Sequence, residues 1–111
     1  MAKHSVTLSA NATNTAICTA VKPRNADKWI GTFNIFGTFG SGTVALNMST
    51  DGGTTKVAIK KADGTSYTTT AADNFQVELG CGSGNSDDII LYATLSGATN
   101  PSITITVHDN T

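Results

Sequence analysis

Charge is scarce in this 111-residue chain: Asp, Glu, Lys and Arg make up 14% of it, against ~25% in an ordinary soluble domain. Seven basic and eight acidic residues leave a net charge of −1. That excludes the basic footprint of a nucleic-acid or acidic-membrane binder. Glu occurs once, as Glu78, and Leu only five times. Without straight-chain helix formers, coiled coils and helical bundles are excluded. No apolar run approaches the ~20 residues of a membrane-spanning helix. The opening Met-Ala-Lys-His-Ser has no charged region feeding an apolar one and does not read as a secretory signal. Two cysteines, Cys18 and Cys81, are too few for a disulfide scaffold and are expected as free thiols.

What is abundant points the other way. The chain has 19 Thr, 11 Gly, 9 Ser and 9 Asn, a mixture that suits short strands joined by turns. At this length a single domain is expected, covering residues 1–111. Period-2 alternation recurs along it. Lys3 to Ser9 sets Val6 and Leu8 against Ser5 and Thr7. Thr15 to Lys22 reads as a second strand, closed by Pro23. Trp29 to Phe39 carries the Trp and three of the four Phe and reads as a central strand. Gly31 and Gly37 within it signal a bulge or a close backbone approach. Thr43 to Met48 comes next, with Val44, Leu46 and Met48 inward. Asp51-Gly52 and Asp63-Gly64 read as hairpin turns flanking Thr55 to Lys61. Thr65 to Thr70, Phe75 to Leu79, Ile89 to Leu95 and Ser102 to His108 complete eight or nine short strands. Regular spacing with turn signals between strands predicts an all-β fold, an antiparallel β-sandwich or jelly roll.

The expected core is Trp29 or Ile30, Phe33, Ile35, Val44, Leu46, Val57, Ile59, Phe75, Val77, Leu79, Ile89, Leu91, Ile103, Ile105 and Val107. Ile89 to Leu95 is apolar on both faces, so it is expected inside a sheet or under a partner. Residues 1–10 admit two readings. They are either an extended N-terminal arm that pairs with a neighbour's strand or the first edge strand of the sandwich.

Candidate chemistry is sparse. A nucleophile needs a base within hydrogen-bond reach. The available groups are His4, His108, Cys18 and Cys81, read as surface histidines and buried thiols. Glu78 falls on an outward strand phase, away from any second carboxylate. Asn85, Asp87 and Asp88 offer oxygens for a hard cation without any known loop spacing. No Cys/His cluster has zinc spacing, and Gly80-Cys-Gly-Ser-Gly84 lacks the Lys and helix of a phosphate loop. Asn11-Ala-Thr13 and Asn47-Met-Ser49 match the glycosylation sequon. Lys56, Lys60 and Lys61 form the one basic cluster and suit edge-strand protection. Trp29, Phe33, Phe36 and Phe39 suit either the core or a sugar-binding surface, with core the expected role. The reading is therefore no catalytic residue, no cofactor and no metal.

Three turn-and-strand motifs carry a resemblance. Gly37-Thr-Phe-Gly40 leads into Thr43-Val-Ala-Leu46 and then Ser49-Thr-Asp-Gly-Gly-Thr-Thr55. Later, Leu95-Ser-Gly-Ala-Thr-Asn-Pro-Ser102 turns into the final alternating strand at Ile103. Across roughly residues 29 to 107 the chain resembles small β-sandwich virion proteins of tailed bacteriophages. It departs at Lys56, where such proteins often carry an aromatic. The resemblance implies a virion structural protein without catalytic residues. A capsid decoration, or cement, protein is the first choice, bound to the major capsid protein or to copies of itself, as a trimer for example. Its place is then the capsid surface, assembled in the bacterial host cytoplasm, with no nucleic acid or membrane partner. The alternative is a tail, neck or fibre-associated module that recognises a receptor or glycan.

Overall fold

The computed structural model describes residues 3–20, 28–50, 53–60, 64–79 and 89–109, with the side chain of Leu79 set aside. Among the described residues there is no helix. Nine strands form: β1 (Lys3–Leu8), β2 (Ala12–Ala20), β3 (Trp29–Thr38), β4 (Thr43–Ser49), β5 (Val57–Ala58), β6 (Thr68–Thr69), β7 (Asp73–Leu79), β8 (Ile89–Ser96) and β9 (Ser102–Asp109). They build two antiparallel sheets packed as a β-sandwich. Sheet A runs β1-β9-β3-β7; sheet B runs β2-β8-β4-β5, with β6 also paired to β4. The pairs nest: β1 with β9, β2 with β8, β3 with β7 and β4 with β5. The chain is thus one long hairpin folded over on itself, and the added contacts β3–β9 and β4–β8 close it in the jelly-roll manner.

Alternation places the core. Strand β3 buries Trp29, Gly31, Phe33 and Ile35 and turns the residues between them outward. Trp29, rather than Ile30, is therefore the inward residue, and no bulge shifts the phase. Gly31 is required by packing. A Cβ there would lie 2.2 Å from the Trp29 indole. Gly37, at φ +126, is pressed against Ser102, whose carbonyl oxygen would lie 2.1 Å from a Cβ. Facing β3 are Val44 and Leu46, Leu91, Ala93 and Leu95, and from its own sheet Ile103, Ile105, Val107 and Val77. An aromatic line crosses the interior. Trp29 meets Phe33 edge-on at 6.4 Å, Phe33 stacks on Phe75 at 5.7 Å, and Phe75 stacks on Tyr67 at 4.7 Å. Offset and edge-on rings add to plain area burial.

Several expectations need correcting. Val57, expected inward, is 48% exposed. Strand β5 is only two residues long and lies past the end of the packed layer. Alternation takes hold again at Ile59, which is buried. Phe75 is half-buried and packs against the core's margin. Met48 is half-buried, and Ser49 takes the buried place at the end of β4. Thr65 to Thr70 yields only the two-residue β6, plus a bridge between Lys60 and Ser66. The second strand, expected from Thr15, begins earlier, at Ala12. The N-terminal segment is not an arm over residues 3–8. It pairs with β9 in unbroken register from Lys3–His108 to Leu8–Ile103, and Leu8 is buried. Pro23, Asp51-Gly52, Lys61 and Asp63 lie outside the described residues, as does the side chain of Leu79.

Strand β8 is interior, between β2 and β4. Its outward Tyr92 is nevertheless 8% exposed, because the chain covers it: Lys56 Nζ sits 5.4 Å from the ring centroid, and its hydroxyl is within 2.9 Å of where a Cβ on Gly53 would be. The apolar outer side of β8 thus meets this chain's own β4–β5 connection.

Candidate functional site

Extending the alternation of β1 and β9 by one step places His4 and Asp109 on the inner side at one end of the sandwich. Asp109 is 2% exposed. Its Oδ2 accepts from Trp29 Nε1 at 3.2 Å and from His4 Nε2 at 3.1 Å. A buried carboxylate is tolerable only when its oxygens are met in this way. The group ties β1, β3 and β9 together. His4 is therefore half-buried and partnered, not a surface histidine. His108 is exposed on the opposite phase, in register with Lys3 and Thr32. The two histidines do not converge.

Cys18 is a free, half-buried thiol. Burial, and secondarily the negative charge of Asp109, push it up from 9.0 to about 12. It remains protonated at neutral pH and so lacks the thiolate that nucleophilic chemistry requires. Glu78 pairs with Lys28 at 2.7 Å, both half-exposed. Such a surface pair contributes little. Cys81, Asn85, Asp87 and Asp88 lie outside the described residues. Among the described residues, no group of three or more His, Cys, Asp or Glu is placed to hold a metal. Both sequon asparagines are engaged. The Asn11 amide exchanges two hydrogen bonds with the backbone of Ala98. Asn47 Nδ2 donates to Asn14 Oδ1 at 2.9 Å and to Thr94 Oγ1 at 3.3 Å.

Among the aromatics of the β3 region, Trp29, Phe33 and Phe39 are core, as expected. Phe36 is not: it is 47% exposed on the outer face of sheet A. It occupies the outward phase of β3 after Thr32 and Asn34, a parity already visible in the sequence.

The edges of the sheets are the second feature that bears on function, because an open edge offers unpaired backbone groups to another chain. Both edges of sheet B are broken up, and the β7 edge of sheet A has one carbonyl occupied. Strand β2 shifts register twice, between Ala12 and Thr15 and between Ala16 and Cys18, with Asn14 in the left-handed region at φ 54. The edge beyond β4 is shared by two fragments. Ile59 N–H donates to Leu46 C=O, while Leu46 N–H donates to Tyr67 C=O; the edge switches from one fragment to the other at that residue. Lys56 and Lys60 stand exposed beside it. On β7 the Tyr67 hydroxyl donates to the Gln76 carbonyl. Strand β7 is equally regular, in unbroken register over seven residues, and so is strand β1 for its whole length. It has no proline, glycine or register shift, and Lys3 is its one strongly basic residue. Among the described residues no strand pairs with its other side.

No protein-family model and no curated protein matches this chain. The functional reading therefore rests on the fold and its surfaces.

Proposed function

We propose that the chain is a non-enzymatic virion structural protein of a tailed bacteriophage, a capsid decoration protein held on the outer surface of the major capsid lattice. The observation that supports this reading is the open edge of β1. It is a straight six-residue strand paired on one side only, in a sandwich whose other sheet has both edges broken up. Strand addition supplies affinity through main-chain hydrogen bonds. A nearly uncharged strand makes such contacts without steep salt dependence. The partner that adds its strand is the major capsid protein or a neighbouring copy of this chain, as in a trimer at a lattice symmetry axis. The protein then reaches the particle during assembly in the bacterial cytoplasm.

The test is to mix the purified protein with expanded capsids that lack it and to count bound copies after sedimentation. Hundreds of copies per particle, obeying the lattice symmetry, are the expected outcome. Absence of binding, or a few to a few dozen copies at a single vertex, overturns the decoration reading. The second of those results favours a tail, neck or fibre position.

A further inference from the structure

The outer face of sheet A carries one interruption in its polar surface. Phe36 lies beside a shallow hollow of about 360 Å³ lined by Asn34, Phe36, Ala72, Asp73 and Asn74, together with Ile35. That volume falls at the lower end of the range for small-ligand sites. The register explains the grouping. Asn34 is directly opposite Asn74 on β7, and Phe36 is the next outward residue along β3. The link entering β7 ends in Ala71 and Ala72, and Ala72 lines the hollow. Among the described residues, neither the Asn34 nor the Asn74 side-chain amide has a hydrogen-bond partner. Asp73, in register with the buried Ile35, has the inward phase, and its Oδ1 accepts from the Asn74 backbone N–H at 2.8 Å.

An exposed ring flanked by two unpaired amides suits a ligand with one apolar face and a rim of hydroxyls. Each amide both donates and accepts, as a hydroxyl does. A lone Phe makes a poor cage for a cation, which is favoured by several aromatic faces. We propose that this hollow is a saccharide-binding site, with one pyranose laid C–H face down on Phe36 and its hydroxyls met by Asn34 and Asn74. The site does not depend on the capsid reading. It lies on β3 and β7 of sheet A, with β9 between it and the β1 edge. At ~4.8 Å per strand Phe36 stands roughly 10 Å from β1, clear of the place an added strand would take.

The test is a two-dimensional amide NMR titration of the full chain with the methyl glycosides of glucose, galactose, mannose, rhamnose and N-acetylglucosamine. At least one glycoside is expected to bind with a dissociation constant of about 1–10 mM, shifting amides at residues 34–36 and 72–74. Phe36→Ala should weaken that binding by about tenfold or more, and Asn74→Ala by several-fold, with both melting as the parent does. No shift with any of the five, shifts mapping elsewhere, or full binding by Phe36→Ala overturns the proposal. Capsid sedimentation of Phe36→Ala is run alongside. Lost capsid binding without any glycoside response shows the hollow to be a protein contact and likewise overturns it, while leaving the decoration reading intact.

Discussion

Along β5 and β6 the edge of sheet B is broken into two-residue pieces, with lysines exposed beside it, whereas the edge of sheet A along β1 runs six residues without interruption. Both arise from the same alternating Thr-rich composition. The difference lies in the side chains that each edge buries. Strand β1 is fastened from beneath by Leu8, Val6 and the His4–Asp109 contact, so its backbone is held straight. Strand β5 has only Ile59 to anchor it, and Val57 projects past the core. A straight edge requires a buried side; where the buried side ends, the edge frays into fragments and loses its capacity to template another strand.

The sharpest way to break this contrast is to unfasten β1. Asp109→Ala removes the acceptor of both Trp29 and His4 and leaves a buried indole N–H unmet. A loss of about 3 kcal/mol is expected from urea denaturation; a loss below about 1 kcal/mol means the carboxylate does not hold the sheet end together. A smaller effect belongs to the bulged edge of β2. Asn14→Val places a β-branched residue at φ 54 and removes the acceptor of Asn47. About 2 kcal/mol should be lost. Unchanged stability would show that β2 can straighten, and that its bulge is no barrier to edge pairing. His4→Ala should cost about 1 kcal/mol and accelerate hydrogen exchange along β1 and its β9 partners while leaving β4 and β8 unchanged. Uniform acceleration would mean that β1 opens only with the whole domain. The smallest effect is expected at the frayed edge. Val57→Lys should shift stability by no more than about 0.5 kcal/mol and leave capsid sedimentation as it was. A marked drop in binding would move the docking edge from sheet A to sheet B.

Much of the fold was legible because the interior strands carry a clean parity. β3, β4 and β9 lie between two neighbours and face a layer of apolar side chains, so their inward positions away from the strand ends had to be apolar. Legibility failed where that constraint lapses. Val57 has the right parity and no core beneath it. Tyr92 has the outward parity and is covered by the loop that carries Gly53 and Lys56, a tertiary event with no local signature. Asp109 and His4 are a different case. Continuing the pattern Ile103, Ile105, Val107 by two residues points Asp109 inward, and counting back from Leu8 and Val6 does the same for His4. The signal was present, but a polar residue at a strand end reads as surface until its partner is seen across the sheet. Phe36 likewise had its outward parity in plain view, and its aromatic character argued the other way.

The nesting of the strand pairs constrains how the molecule comes into being. Strand β9 lies in the middle of sheet A, between β1 and β3, so two of the earliest strands to leave the ribosome wait for one of the latest. Until residue 109 has emerged, β1 has no partner and the inner face of β3 is half-clothed. Folding is therefore a single late closure over the longest loop the chain possesses, which is slow relative to local pairing. During that wait the backbone groups of β1 on both sides are unpaired, and any strand that meets them first competes with β9.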